Sequence, residues 1–192
     1  MSVSYDMFGI MDEAMRTFII SSAVAVFLLT SLLIVSLTKA QEVNFESKKV
    51  DYALPYPGIL PDNPLYVIKK IRDTVLIFFS RDNVRKVELY FLFSDKKIYM
   101  ASELAKKGKW NLVSQTTTEA QSDFLKVADL LRTSKKQGTS APSGLIQKIK
   151  LSNEKHREVI EMLLKNAPTG ERALLEKALA TTKTIREQLT SF

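Results

Sequence analysis

Histidine occurs once in the chain, at His156, and cysteine does not occur. One imidazole cannot build an H-E-x-x-H zinc pair, and without cysteine there is no disulfide, thiolate nucleophile or cysteine metal site. Glu154, Glu158 and Glu161 are near His156 in sequence but sit mainly on other faces of a helix, so they form no ligand set with it. No serine lies in a G-x-S-x-G setting, and the six glycines never cluster into a phosphate loop. These residues supply neither an activated nucleophile nor an acid–base pair, so no catalytic residue, metal or cofactor is expected and the chain reads as non-enzymatic. The most distinctive constellation is Leu60-Pro-Asp-Asn-Pro-Leu-Tyr-Val-Ile-Lys69. Its candidate interaction residues are Pro61, Asp62, Pro64, Leu65, Tyr66 and Lys69. A purely architectural reading stands beside that one. The prolines fix the path, Asp62 or Asn63 caps a helix, Leu65 opens its apolar face, and Tyr66 packs its ring while its hydroxyl finds a partner.

These residues need elements to hold them. Residues 41–63 read as a linker that becomes a proline-rich strap, because Leu54, Tyr56, Leu60 and Asn63 each precede proline and are pushed away from helical backbone. Leu54, Tyr56, Ile59 and Leu60 are apolar and call for burial against helices. A first helix follows from Asp62-Asn63-Pro64, with Leu65, Ile68, Ile71 or Arg72, Val75 and Phe79 at helical spacing. A second, capped by Asp82 or Asn83, runs to Lys107 with the seam Val84, Val87, Phe91, Ser94, Ile98, Ala101 and Ala105, widened by Tyr90, Phe93 and Leu104. Gly108 stands where a left-handed residue would end it. The third covers about Trp110 to Thr133, with Val113, Thr117, Ala120, Phe124, Val127 and Leu131 on one face. Residues 135–144 are a loop by composition. The fourth spans about Leu145 to Asn166 and places Leu145, Ile149, Ser152, His156, Val159 and Leu163 on its seam. That position makes His156 a buried or half-buried structural imidazole. The last, with Thr169 as its cap, carries Leu174, Ala178, Thr181, Ile185 and Leu189. Short turns between long amphipathic helices imply antiparallel neighbours. The fold class is therefore all-α, an antiparallel bundle of four to five helices over residues 64–192.

Before the strap lies an uncharged apolar run, Thr17 to Leu37, bounded by Arg16 and Lys39. It is long enough to cross a bilayer, for which about 20 residues suffice. Residues 17–38 are read as a transmembrane anchor behind a short tail, residues 1–16. The alternative is a signal peptide cleaved after Ala40, at Thr38-Lys39-Ala40. The core is long for a signal, and the start is acidic apart from Arg16. A pilin-like leader at Gly9 fits poorly, because Asp12, Glu13 and Arg16 interrupt the apolar run. The chain of 192 residues carries a net charge of +7. Two of its 28 basic and three of its 21 acidic residues fall in the first 40, which leaves 26 against 18. Interspersed acids make this mostly a solvated helical surface, with some attraction to an anionic surface. Nucleic acid is not an expected partner, because no binding motif accompanies the charge.

The segment Leu54 to Lys69 resembles a family of uncharacterised prokaryotic proteins that share a domain of unknown function. Their pattern is L-P-x-P-G-x-L-P-D-x-P-L-Y-x-(L/I)-K, matched here with Asn63 at the variable position and Ile68 near the end. Phe93-Ser94-Asp95-Lys96-Lys97 resembles a second family feature, with Ser94 in place of the commoner Ala. His156-Arg-Glu-Val159-Ile160, then Pro168, then Ala178-Leu179 resemble a third. The resemblance implies an all-helical domain outside the cytoplasmic membrane, behind a signal or anchor, with no assigned activity. It also implies some association with anti-sigma-like membrane regulators, although this chain lacks their Cys/His zinc module. The resulting expectation is a single-pass protein of the cytoplasmic (inner) membrane whose C-terminal domain faces outward as an interaction or sensory module. Its partners would be membrane lipid through residues 17–38 and a protein or anionic envelope component. The alternative is a secreted scaffold or envelope-binding protein.

Overall fold

Among the described residues five α-helices follow one another. They are α1 (Tyr66–Phe79), α2 (Asn83–Lys106), α3 (Trp110–Lys136), α4 (Ser143–Asn166) and α5 (Thr169–Leu189). The computed structural model describes residues 50–139 and 141–192, which belong to a compact unit spanning Ser47–Phe192. The apolar run Thr17–Leu37 lies outside the described residues. Among the described residues there is no strand, and no helix is long and apolar enough to cross a membrane.

Local chemistry sets the helix ends. The Asp82 carboxylate accepts from the Arg85 backbone N–H at 3.0 Å and so caps α2. At the other end Gly108 takes φ 69°. Its N–H bonds the Ala105 carbonyl and the Lys109 N–H bonds Leu104, which is the Schellman arrangement. The same device closes α3, where Gly138 at φ 76° and Thr139 bond Lys135 and Ser134. Composition alone places Gly138 only in a loop. Thr169 is the first residue of α5 and makes no side-chain cap.

Helices α2 to α5 close a four-helix bundle in which α2 packs on α3, α3 on α5, α5 on α4 and α4 on α2. Two apolar layers fill it. One holds Ile98, Leu104, Val113, Val159, Ile160 and Leu175; the other holds Val87, Phe91, Phe124, Leu131, Ile149 and Ile185. The expected seams of α2, α3 and α4 are buried, with Val84, Ala105 and Leu145 half-buried at the margins. In α5 the buried line is Leu175, Ala178, Thr182, Ile185 and Leu189. Leu174 is exposed and Thr181 only half-buried, so the seam runs one residue later there than expected.

The largest departure is α1. It buries no residue, and the expected core line Leu65, Ile68, Ile71, Val75 and Phe79 is exposed. The other four helices already complete the core, so α1 lies on the outside of the bundle against α2. The strap also differs from expectation. Leu54 packs on the first apolar layer, Tyr52 on the second, and Pro57 is buried, whereas Tyr56 and Ile59 are exposed.

Phe91 meets Phe124 edge to face at 6.2 Å, in the centre of the second layer. Phe91→Ala is expected to cost about 3–5 kcal/mol in urea unfolding. An unchanged midpoint would mean that this layer is not the core.

Candidate functional site

The strap and its helix form a self-tied unit. Gly58 takes φ 70° where the chain turns, a backbone position that suits a residue without Cβ. The Asn63 side-chain oxygen accepts from the Leu65 N–H at 2.9 Å. Asn63 therefore satisfies a free N–H group at the start of α1. Asp62 instead accepts from Lys107 at 3.0 Å and Lys109 at 2.9 Å, tying the strap to the α2–α3 turn. The hydrogen bond from Lys109 holds the Asp62 carboxyl below its ordinary pKa. Partial burial opposes this, and Lys107 reinforces it. Lys69 reaches back to donate to the Pro57 carbonyl at 3.1 Å and lies 3.6 Å from Met100 Sδ. Burial lowers its pKa to about 8, with Lys96, Arg72 and Lys97 adding repulsion and Asp73 opposing. Its ammonium also lies 5.4 Å from the centre of the Tyr66 ring. Lys69 and Tyr66 are thus brought together. Pro61, Pro64 and Leu65 lie along the path to the helix, and Leu65 is exposed.

Tyr66 has a second neighbourhood. With Asp73, Ile77, Phe93, Lys97 and Glu119 it lines a groove of about 500 Å³ between α1 and the α2–α3 pair. Burial raises the Tyr66 pKa. The groove's charges are paired among themselves, with Lys97 at 2.8 Å from Asp123 and 3.1 Å from Glu119. Burial pulls the Lys97 pKa down, but the two carboxylates outweigh it and the net shift is upward. Lys126 adds a contact to Asp123 at 3.0 Å.

Between the two apolar layers every bundle helix contributes polar side chains. They include Asp95, Gln121, Ser152, Asn153, His156 and Thr182, all buried. Asp95 is the hub. Its Oδ1 accepts from Ser152 at 2.5 Å and from His156 Nε2 at 3.0 Å, and its Oδ2 accepts from the Tyr52 hydroxyl. Gln121 Nε2 donates to His156 Nδ1 at 3.1 Å, which assigns the ring proton to Nε2. The Phe124 ring meets the imidazole edge to face at 5.0 Å. Ser152 and His156 donate to the same carboxylate oxygen, so in this arrangement the imidazole is not placed to take the serine proton. Burial pushes the Tyr52 phenol pKa up, and the charge and hydrogen bond of Asp95 push it further. Helical spacing marks His156 as structural but identifies neither its partners Asp95 and Gln121 nor the bond from Tyr52 to Asp95. A signal existed, since Phe93–Lys97 and His156–Ile160 were two of the stretches carrying the family resemblance, and they meet at the Asp95–His156 bond.

The family model for DUF5667, a domain of unknown function, matches residues 58–170, more than half of the chain. The chain belongs to the DUF5667 family. Searches of curated proteins and of solved structures return no match. The DUF5667 match starts at Gly58 within the strap, covers α1 to α4 and stops as α5 begins. Asp95, Gln121, Ser152 and His156 therefore lie inside the family segment, and Tyr52 and Leu54 precede it.

Two outcomes are expected of the DUF5667 domain. Tyr52→Phe removes one of three donors from a buried carboxylate and should cost about 1–3 kcal/mol by chemical denaturation. Full retention of stability would show that the Tyr52 bond contributes nothing. Lys69 gives a pH dependence. Its folded pKa of about 8 lies below its unfolded value, which is about 10.4. Between those values the unfolded chain holds the extra proton, so the contribution of Lys69 rises with pH. It is complete above about 10.4 and lost as pH falls below about 8. Lys69→Met should remove that rise, read as the difference between the two proteins' unfolding midpoints from pH 7 to 10.5.

Proposed function

We propose that the chain is a non-enzymatic interaction or sensory domain, held at the outer face of the cytoplasmic membrane by residues 17–38. The observation that carries the interaction reading is α1. A DUF5667 bundle whose core is completed by four helices carries a fifth whose apolar residues face away from it. Val67, Ile68, Ile71, Phe78 and Phe79 are each at least 60% exposed. Exposed apolar surface concentrated in this way marks a contact site. The groove beside Tyr66 adds an aromatic wall with internally paired charges, suited to binding more than to proton transfer. The L-P-x-P-G-x-L-P-D-x-P-L-Y pattern serves this reading as a brace, since Asp62, Asn63 and Lys69 all make bonds that fix α1 and the strap. The polar groups at Asp95 are bonded to one another within the core, which supports a structural role for them.

Anchoring rests on the uncharged run Thr17–Leu37 and on the family resemblance of Leu54–Lys69. The outward orientation rests on that resemblance; the basic residues flanking the run, Arg16 before it and Lys39, Lys48 and Lys49 after it, taken alone slightly favour a cytoplasmic domain, but so small a difference discriminates weakly. Thr38-Lys39-Ala40 before Gln41 favours the second reading, a secreted scaffold or envelope-binding protein after cleavage at Ala40.

Protease added to intact bacterial spheroplasts expressing the chain should digest the domain, and intact mass of membrane-fraction protein should retain residues 1–40. Digestion only after lysis would reverse the orientation, and a mature start at Gln41 would replace the anchor with secretion.

A further inference from the structure

The apolar side of α1 is a single stripe. At 3.6 residues per turn, Val67, Ile68, Ile71, Val75, Phe78 and Phe79 fall within a continuous arc of about 120°. All six are exposed, the two phenylalanines most of all at 79% and 74%. The opposite side, Tyr66, Lys69, Asp73 and Ile77, is half-buried and faces the bundle. The helix is therefore inverted, with its more polar line against protein and its apolar line turned to solvent.

Charge says what kind of surface would cover it. Lys70 and Arg72 lie on either flank of the stripe, and Arg81 follows its C-terminal end. The one acidic residue of α1, Asp73, is on the bundle side, bonded to Arg72 at 2.6 Å. Lys70 pairs with Glu119 at 3.3 Å, yet its side chain stays 61% exposed, and that of Arg72 stays 59% exposed. An apolar stripe edged by cations, with no acid on it, is complementary to an anionic bilayer surface, where acyl chains take the ring edges and headgroups take the cations. A second copy of the same stripe would bring like charges together along both flanks.

The sequence ahead of the described residues adds a second argument, which rests on the anchor reading above. If Thr17–Leu37 is in a bilayer, twelve residues from Thr38 to Lys49 lead to the strap. Even fully extended they reach only about 40 Å. The domain is then confined near the headgroups, where a weak interfacial helix is driven on by effective concentration. We propose that α1 docks on the anionic surface of the membrane, its apolar stripe in the interface and Lys70, Arg72 and Arg81 at headgroup level, so that the DUF5667 bundle is held in a fixed orientation on the bilayer instead of swinging on its tether.

The absence of cysteine makes single-label depth measurements direct. Full-length Ile71→Cys, Ala25→Cys and Glu176→Cys proteins would each carry an environment-sensitive fluorophore and be reconstituted into phosphatidylcholine vesicles with or without phosphatidylglycerol. Spin-labelled lipid would be the membrane quencher and iodide the aqueous one. In anionic vesicles the Ile71 label should shift to the blue, lose most of its emission to spin-labelled lipid and resist iodide. The Glu176 label should do the opposite. Phe78→Asp with Phe79→Asp should return the Ile71 label to water, with circular dichroism unchanged because both rings are exposed. Quenching by lipid at Ala25 but not at Ile71 overturns the docking and keeps the anchor. Quenching at Ile71 but not at Ala25 keeps the docking and overturns the anchor. Protection from iodide without lipid quenching means that protein covers the stripe, a second copy or another partner, and overturns the proposal. Equal lipid quenching with and without phosphatidylglycerol overturns the choice of an anionic surface.

Discussion

One buried carboxylate holds the parts of this domain in register. Asp95 is 1% exposed and accepts hydrogen bonds from the strap, through Tyr52, and from α4, through Ser152 and His156. Gln121 extends the network to α3. An ionised group in such a place is costly unless its lone pairs are engaged, and losing a partner from a buried charge typically costs more than the bond itself contributes. The two apolar layers pack above and below this level, so their mutual positions are fixed at the same height. The network is not fully closed. Gln121 Oε1 and Asn153 Oδ1 are buried in the same layer without a hydrogen-bond partner, so the layer is a place of specificity more than of maximal stability.

The closed bundle explains the position of α1. Once α2 to α5 satisfy one another, no apolar cleft remains to receive a fifth amphipathic helix on its apolar side. What α1 meets is a charged groove wall, with Lys97 engaged by Asp123 and Glu119. A polar line suits that wall, and Tyr66, Lys69 and Asp73 provide it. The apolar residues are then turned outward by helical geometry alone. The strap keeps α1 there with few apolar contacts, through Asp62 on Lys107 and Lys109 and through Lys69 on the Pro57 carbonyl.

Periodicity made most of the bundle legible. The lines through Phe91, Phe124 and His156 repeat with helical spacing, and burial follows them. In α5 the choice between Leu174 and Leu175 was not local. Both are apolar, and only the step to Ala178 and Thr182 across the interface decides which is inside. The misreading of α1 has a different origin. Its hydrophobic pattern identifies the apolar side, but a pattern carries no information about whether another helix is available to cover it. Asp62 and Asn63 are both good caps by type, and the difference lies in Lys107 and Lys109, some 45 residues away. The Tyr52–Asp95 bond spans 43 residues and the Asp95–His156 bond 61, beyond the reach of any spacing argument.

The polar layer also restricts how the helices can slide. Displacing α4 by one turn along α2 would put Ser152 at the level of His156 with Lys148–Ile149 in the place of Ser152, or His156 at the level of Ser152 with Val159–Ile160 in the place of His156. The carboxylate would then face one of its two α4 donors from the wrong position and lose the other to an aliphatic or lysine side chain. A hydrogen bond lost from a buried carboxylate costs about 1–3 kcal/mol or more, whereas exchanging one aliphatic side chain for another of similar volume in the apolar layers usually costs less than about 1.5 kcal/mol. Apolar packing therefore tolerates slippage that the Asp95 bonds do not. The strap adds to this, because Tyr52 can reach Asp95 only if the path through Leu54 and Pro57 is in place. The contacts that orient α1 and those that set the bundle's register thus meet in one short stretch of chain, Tyr52 to Lys69. A change in that stretch acts on both, which is why side chains with no visible chemistry of their own control where the apolar stripe of α1 points.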